Sequence, residues 1–508
     1  MTSSPFDAPV STEPAQLDPD LDTPNHQDNP NHRRRWLVLT IVALAQLMVV
    51  LDATIVSIAL PDAQAELGIG DGDRAWVVTS YALAFGALLL LGGRIADYWG
   101  RKRSFLVGMV GFAVMSGIGG IAQNGIELFI ARAGQGVFAA LVAPAALAIL
   151  TTTFTRSAER AKAFAVYGAI SGGGAAIGLL LGGALTQYVD WRWCLLVNIP
   201  IAALAIAAAV PVIVETKAHG DTSYDLPGAL LVAIGLGSLV YGFTRAEHGW
   251  LEPDTLGFII GGLAVLTVFV LVEHRSANPL LPLSVPWDRN RGAALIGITL
   301  AGVAIIGSTL YLAIYLQAIL EFSPMMAGVA CLPITVFIVL ASGLAARLTV
   351  TVGARIPLAI GPVVAAAGLL LLAQIDVDSS YWTGVFPGLA VFGFGMGLLM
   401  VPMQNVALIG VPNHDAGAAS ALSSATLQVG GALGTALLTT VYTSAKGDSL
   451  STNPITEGPT AFIAAEVAGY TTAFAWAAGL LILATPVVLI LVRVKKDELQ
   501  STTAAHMG

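Results

Sequence analysis

Long apolar stretches alternate with short polar segments along almost the whole chain. A helix that crosses the hydrocarbon core of a bilayer needs about 20 consecutive apolar residues. Stretches of this kind predict an all-α integral membrane protein with 14 transmembrane helices. The predicted spans are Trp36–Ala59, Ala75–Asp97, Ser104–Ala122, Ile126–Leu150, Ala161–Tyr188, Cys194–Val214, Leu226–Thr244, Leu256–Val272, Arg291–Leu320, Met325–Leu348, Ile356–Gln374, Thr383–Asn405, Ala416–Thr443 and Tyr470–Val492.

Composition supports this interpretation. The 508 residues are 56% hydrophobic and only 11% charged, whereas a soluble domain carries about 25% charged residues. These values exclude a water-soluble enzyme of ordinary surface. The net charge of −8 argues against nucleic acid as a partner. Residues 1–34 are rich in Pro, Asp and Asn, which predicts a disordered cytoplasmic tail rather than a signal peptide.

The loops between the predicted spans carry an uneven distribution of Lys and Arg. When the loops are assigned alternately to two sides, 19 of the 24 basic residues fall on the side of the termini and 4 on the other. Lys and Arg in short loops favour the cytoplasmic side of a membrane. We therefore expect a multi-pass protein of the cytoplasmic (inner or plasma) membrane with both termini in the cytoplasm.

A weak internal repeat indicates how the spans are grouped. The second span ends in Gly93-Arg94-Ile95-Ala96-Asp97, and the tenth in Gly343-Leu344-Ala345-Ala346-Arg347. Repeated helix bundles are common in transporters, so we align spans 1–6 with spans 9–14. This predicts a six-helix bundle over 35–214, two inserted helices with their linkers over 215–290, a second six-helix bundle over 291–493 and a cytoplasmic tail over 494–508.

Two charged residues stand out inside the predicted spans: Asp52 in the first and Arg132 in the fourth. Charges within a span are costly and are functional by default. Both lie about five residues, or ~7 Å, from the middle of their span toward the outside. Burial favours the neutral form of a carboxyl group and a nearby cation favours its charged form. We therefore predict proton uptake and release at Asp52, modulated by Arg132; the alternative is a static structural ion pair.

Other residues are weaker candidates. Glu321, at the outer end of the ninth span, is a possible second acid, although a solvated helix-end charge is the simpler explanation. Glycines of the fifth span predict tight helix packing or a pivot between the bundles. Polar, aromatic and Met residues in spans 9, 12 and 13 predict part of a substrate cavity, although plain packing is the alternative. The glycines are Gly174, Gly178, Gly182 and Gly183, and the cavity candidates are Tyr311, Tyr315, Gln317, Met403, Gln404, Asn405 and Gln428.

Several motifs resemble those of one transporter family. The segment Gly93-x-x-x-Asp97-x-x-Gly100-Arg101-Lys102-Arg103 looks like motif A of the major facilitator superfamily, and Leu128-x-x-x-Arg132-x-x-Gln135-Gly136 looks like its motif B. Leu51-Asp52-x-Thr54-Ile55-Val56-x-x-Ala59-Leu60-Pro61 resembles the first span of the fourteen-helix drug:proton antiporters of the EmrB/QacA type. Trp191-Arg192-Trp193, Asn198-Ile199-Pro200 and Tyr315-Leu316-Gln317 resemble the same branch.

The resemblance implies roles for several residues. Asp52 would be the proton site and Arg132 would tune it. Asp97 and Arg101, with Gly93, Gly100, Lys102 and Arg103 around them, would form a cytoplasmic latch that holds the outward-facing state. The sequence also departs from the family pattern: Leu179 replaces a usual Pro, Ser57 a usual Asn and Glu321 a usual Gly.

These observations predict a secondary active multidrug efflux transporter. It would exchange external protons for cytoplasmic amphipathic, often cationic, compounds by alternating access, and the family resemblance implies that it acts as a monomer in the lipid bilayer. We expect no cofactor, because no Gly-Lys dipeptide of a phosphate-binding loop occurs and a proton gradient would supply the energy. The alternative is a proton-driven exporter of one specific metabolite, antibiotic, lipid or siderophore. An enzyme is not expected.

Overall fold

The computed structural model describes residues 34–154, 156–217, 225–246, 249–276, 279–281, 283–411, 416–452 and 459–493. The predicted tails therefore lie outside the described residues, apart from Arg34. Within the described residues, 14 helices are long and apolar enough to cross a membrane, which confirms the predicted number. We call the side where the first span begins, at Arg35, and the last ends, at Leu491, the basic side; the other is the opposite side.

The first bundle contains the helices that precede the insertion. A short break at Val197 divides its last span into two helices. The helices are α1 (Arg35–Leu67), α2 (Trp76–Trp99), α3 (Arg101–Gly120), α4 (Gly125–Thr153), α5 (Ser157–Tyr188), α6 (Trp193–Leu196) and α7 (Asn198–Val212).

Two inserted helices, α8 (Leu226–Arg245) and α9 (Pro253–Arg275), pack on each other and lead to the second bundle. A π-helical turn at Tyr381–Val385 opens the twelfth span. The remaining helices are α10 (Ser284–Trp287), α11 (Arg289–Ala318), α12 (Pro324–Val352), α13 (Arg355–Leu372), α14 (Phe386–Leu408), α15 (Ala416–Thr452), α16 (Pro459–Ile482) and α17 (Ala484–Leu491).

The two bundles repeat one packing pattern. In the first, α2 and α3 pack on α4 and α1 packs on α5; in the second, α12 and α13 pack on α14 and α11 packs on α15. The bundles meet mainly where α2 lies along α15 and where α5 lies along α12. The packed pairs correspond to each other when spans 1–6 are set against spans 9–14.

Several predicted span ends were wrong. The first span was predicted to end at Ala59, but α1 continues to Leu67; the thirteenth was predicted to end at Thr443, but α15 continues to Thr452. The last span was predicted to begin at Tyr470, but α16 begins at Pro459. Helices continue past the apolar stretch because their polar ends find partners in the protein.

The prediction that Asp52 and Arg132 are the two clear charges inside spans was therefore incomplete. Glu273 in α9 is 2% exposed and Glu466 in α16 is 9% exposed. Glu273 accepts a hydrogen bond from the backbone N–H of Leu281 at 3.2 Å. The apolar pattern hid both residues because each lies beyond the end of its predicted span.

Candidate functional site

An ion pair lies inside the first bundle, where α1 and α4 cross. Asp52 and Arg132 are 0% and 1% exposed, and Oδ2 of Asp52 lies 2.5 Å from Nη1 of Arg132. The depths estimated from the sequence were similar, and the structure places the two side chains in direct contact. Removing two charges from water is expensive, so such a pair persists only when further hydrogen bonds satisfy both groups.

Asp52 has those further partners. Its Oδ1 accepts hydrogen bonds from Nε2 of Gln135 at 2.9 Å and Nδ2 of Asn198 at 2.7 Å. Both amides also donate to the hydroxyl of Ser116, at 2.7 and 3.3 Å. Gln135 lies one turn after Arg132 on α4, and Asn198 opens α7. Side chains of α4 and α7 therefore contact the carboxylate of α1 directly, and Ser116 of α3 reaches it through the two amides.

Arg132 is held from several directions. Its Nε donates to the backbone carbonyl of Val77 at 3.0 Å, and its Nη1 donates to Oε1 of Gln135 at 2.9 Å. The guanidinium carbon lies 4.5 Å from the centre of the Tyr81 ring. The arginine therefore links α1, α2 and α4, and a change in the charge of its carboxylate partner affects all three helices.

Sequence reasoning identified the ion pair and missed part of its surroundings. Gln135 and Asn198 appeared only as letters of family motifs, and Ser116 did not appear. The spacing of three residues between Arg132 and Gln135 puts both on one face of a helix, which was an available signal. Oδ1 of Asn198 is buried without a hydrogen-bond partner. This oxygen can therefore accept a hydrogen bond if Asp52 becomes protonated or is replaced by Asn.

Glu321, the predicted second acid, is exposed in the segment between α11 and α12 on the opposite side. Its backbone is left-handed, with φ of 53°. Left-handed geometry favours glycine, which gives a physical reason for the Gly that the family pattern has at this position.

The motif A residues gather on the basic side, between α2 and α3. Nη2 of Arg101 lies 2.9 Å from Oδ1 of Asp97. The first backbone N–H groups of α3, at Lys102 and Arg103, donate to the carboxylate of Glu215 at 3.0 and 3.1 Å. Glu215 therefore occupies the N-terminus of α3, and Asp97 pairs with the side chain of Arg101.

Glycine at position 100 has a local reason. Its φ is 132°, and a Cβ there would lie 2.6 Å from Oε1 of Glu215. By contrast, a Cβ added at Gly93 would lie 3.6 Å from Cβ of Pro144, an ordinary van der Waals distance.

The glycines of α5 bring it into close contact with two neighbours. A Cβ at Gly178 would lie 2.0 Å from Oγ1 of Thr54, and one at Gly182 would lie 2.8 Å from the carbonyl of Ile55. Gly174 faces Val50 in the same way. Gly183 instead faces α12, where its Cβ would lie 2.6 Å from the carbonyl of Pro324. The close packing is therefore present, and the pivot stays a prediction.

The predicted cavity residues do not form one surface. Tyr311 and Tyr315 are 0% exposed, so neither lines an open cavity in this state. Gln317 donates to the backbone carbonyl of Ile58 at 3.1 Å. Met403 is buried against Gly297, whereas Asn405 is exposed. Gln404 and Gln428 are half-buried.

Polar contacts join the bundles on the opposite side. The side-chain amide of Gln317 donates to the backbone carbonyl of Ile58, and the backbone N–H of Met325 donates to Oε1 of Gln187 at 3.2 Å. Nζ of Lys446 lies 2.6 Å from Oδ2 of Asp71 in the α1–α2 loop.

The carboxyl group of Asp71 is electrostatically stabilised in its charged form. Burial acts to raise its pKa, but the hydrogen bond from Lys446 and the charge of Arg74 outweigh burial. The pKa of Asp71 is therefore held below its usual range. The charged carboxylate keeps this link between the bundles intact at neutral pH.

Two repeated six-helix bundles with a buried charge pair are typical of helical membrane transporters. Residues 42–435 match the model of the Major Facilitator Superfamily. The chain is 45% identical over 477 residues to the puromycin resistance protein pur8 of Streptomyces alboniger, covering 93% of this chain and 94% of that protein. It is 38% identical to the cephamycin export protein CmcT of Amycolatopsis lactamdurans, covering 79% of this chain and 84% of that protein.

A solved structure supports the fold. This structure is a bacterial homolog of the human lysosomal transporter Spinster in an inward-facing and occupied conformation. It superposes on this chain with a TM-score of 0.66 at 14% sequence identity, and the alignment covers 91% of this chain and 98% of the Spinster homolog. The protein belongs to the Major Facilitator Superfamily. It is a multi-pass integral membrane transporter and not an enzyme, and its relatives act in antibiotic resistance and export.

Proposed function

We propose that this transporter is a proton-driven exporter that exchanges external protons for cytoplasmic amphipathic compounds, many of them cationic. The observation that carries the proposal is the carboxylate of Asp52, which is 0% exposed and paired with Arg132 at 2.5 Å. A buried acid whose charge holds several helices together can convert the binding of one proton into a rearrangement. No resident cofactor takes part, and the protein works as a monomer in the bilayer.

The basic side faces the cytoplasm in this proposal, because Lys and Arg favour that side. The contacts of Gln317 and Lys446 then close the bundles toward the outside. A transporter closed on one side by such contacts receives substrate from the other. Substrate therefore enters from the cytoplasm or the inner leaflet.

A proton from outside drives the return step. Protonation neutralises Asp52 and removes the Coulombic attraction of Arg132, so the packing of α1 against α4 loosens. Proton release toward the cytoplasm restores the pair. On the basic side, Asp97 and Arg101 both belong to the first bundle and lie 2.9 Å apart in this outwardly closed state, so a latch that holds the outward-facing state needs a further partner from the second bundle. Exchange results because proton and substrate favour different states of one protein.

The breadth of the substrates defines two versions of the proposal. One is multidrug efflux, and the other is export of a single antibiotic or other metabolite. Puromycin resistance and cephamycin export, the functions of the two relatives named above, support the second version, whereas the multidrug resistance protein Stp of Mycobacterium tuberculosis, 32% identical to this chain, supports the first. Transport of one labelled compound in competition with unrelated amphiphiles separates them: inhibition by many compounds supports multidrug efflux, and inhibition by close analogues alone supports the single substrate.

Inside-out membrane vesicles test the coupling. An imposed proton gradient should drive uptake of ethidium in the wild type and not in a folded Asp52→Asn variant. Glu321→Gln is the matched control, since Glu321 is an exposed acid, and it should retain uptake. Uptake that survives Asp52→Asn and fails in Glu321→Gln would contradict the assignment and move the proton to Glu321.

A further inference from the structure

Three tyrosines of the second bundle form a cluster near the opposite side. Tyr311 in α11, Tyr442 in α15 and Tyr470 in α16 are each at most 1% exposed. The ring centres of Tyr311 and Tyr442 lie 5.3 Å apart, and those of Tyr442 and Tyr470 lie 5.2 Å apart. We call Tyr311, Tyr442 and Tyr470 the tyrosine cage.

A cation from the other bundle occupies this cage. Arg74, in the α1–α2 loop, is 2% exposed. Its guanidinium carbon lies 4.3 Å from the ring centre of Tyr442 and 5.2 Å from that of Tyr311. Nε and Nη2 of Arg74 are buried without hydrogen-bond partners, and its ion pair with Asp71 spans 3.6 Å. Ring faces therefore provide much of the stabilisation of this buried charge.

A carboxylate lies beside the cage. Glu466 is 9% exposed and accepts a hydrogen bond from the hydroxyl of Tyr442. It also pairs with Nζ of Lys446 at 2.5 Å, and the same Nζ pairs with Asp71 of the first bundle. The cage thus combines aromatic faces, which recognise organic cations, with a neighbouring carboxylate that is paired with Lys446.

We propose that the tyrosine cage with Glu466 is a binding site for organic monocations that have an ammonium or guanidinium head. Arg74 is its tethered occupant in the state described here. The inference rests on the proposed alternating access. Arg74 belongs to the first bundle and the cage to the second, so separation of the bundles on the opposite side withdraws Arg74 and exposes the cage. Re-entry of Arg74 then displaces the bound cation to the outside.

The first test removes the tethered occupant. Purified Arg74→Ala protein is titrated with radiolabelled choline by equilibrium dialysis, with 3,3-dimethylbutan-1-ol as the uncharged competitor of matched shape. We expect choline to bind Arg74→Ala and not Arg74→Lys, which keeps a cation in the cage. The neutral alcohol should compete poorly. Absence of choline binding to folded Arg74→Ala would overturn the proposal, as would equal competition by the alcohol.

Substitutions of the cage ring add a second criterion. In the Arg74→Ala background, Tyr442→Leu should weaken choline binding about 5- to 30-fold, because a desolvated cation–π contact contributes about 1–2 kcal/mol. Tyr442→Phe keeps the ring and should stay within about threefold of its parent. Equal weakening by Leu and Phe would show that the ring face is not the recognition element, and would contradict the proposal.

A transport measurement covers the case in which Arg74→Ala does not fold. Choline added outside right-side-out vesicles should inhibit ethidium efflux in otherwise wild-type protein, less in Tyr442→Leu than in Tyr442→Phe. Inhibition that is equal in the two variants, or absent from both, would refute the cage. Dialysis measures binding without a proton gradient, so the two proposals can fail separately. Absence of choline binding together with normal gradient-driven transport would refute only the tyrosine cage. Choline binding together with no gradient-driven transport would refute only the proposed proton exchange.

Discussion

Neutralising Asp52 separates its electrostatic role from its coupling role. In Asp52→Asn, Arg132 stays 1% exposed and loses the charge that lies 2.5 Å away. Removing one partner of a buried pair costs about 3–5 kcal/mol, because it leaves an uncompensated charge. Hydrogen bonding is also affected: a flipped Asn198 amide accepts from the new amide through Oδ1, which has no partner, but Nε2 of Gln135, which donates to Oδ1 of Asp52 at 2.9 Å, then faces a second donor.

A matched double variant tests this account. Asp52→Asn/Arg132→Gln carries no charge at this site, so it should recover most of the free energy of unfolding that Asp52→Asn loses. It should nevertheless lack gradient-driven transport, since neither residue can then respond to a proton. Unfolding is followed in an SDS titration of purified protein, and transport is measured in vesicles with ethidium. Wild-type coupled transport in the double variant would refute the reasoning and support a purely structural ion pair.

Three further predictions follow from the backbone, the packing and the titration of single residues. Glu321→Gly should raise the free energy of unfolding by about 0.5–1 kcal/mol, because φ of 53° strains a residue with a side chain; a loss in thermal unfolding would contradict this. Gly178→Ala should cost about 1–3 kcal/mol, whereas Gly172→Ala, whose Cβ has nothing within 4 Å, should be nearly neutral; equal losses would refute the packing argument. Asp71→Asn should lower the thermal midpoint relative to the wild type, and by the same amount at every pH from 5 to 8. The difference in midpoint between the two proteins should shrink below pH 3.8, the ordinary pKa of an Asp carboxyl. A carboxyl whose pKa is lowered by folding stabilises the folded state above its ordinary pKa, and this stabilisation is lost as the pH falls further. Asp73→Asn, at an exposed carboxyl in the same loop, is the control, and an equal effect there would contradict the prediction.

The sequence predicted the number of spans because the bilayer imposes a length on each apolar stretch. It predicted that Asp52 and Arg132 have similar depths because helical rise converts residue number into distance. Direct contact between them depends on the crossing of α1 and α4, which no single helix encodes. The role of the pair in coupling stays a prediction.

The sequence revealed least at the polar ends of the helices. Glu466 and Lys446 were assigned to a loop because the apolar stretches end before them, yet α15 and α16 continue past both. Tyr311 was predicted as a substrate-cavity residue, with plain packing as the alternative; nothing in its span indicates that its ring centre lies 5.2 Å from the guanidinium carbon of Arg74 in the other bundle. Contacts between bundles pair residues that are hundreds of positions apart, and a pattern within one span carries no signal for them.

The most direct test of proton coupling compares two transport modes in the same proteoliposomes. Asp52→Asn protein should still exchange internal for external ethidium at equilibrium, since that exchange needs substrate binding and rocking without net proton movement. It should not accumulate ethidium when a proton gradient is imposed, whereas the wild type should do both. Gradient-driven accumulation by Asp52→Asn at the wild-type level would contradict the claim that Asp52 carries the exchanged proton.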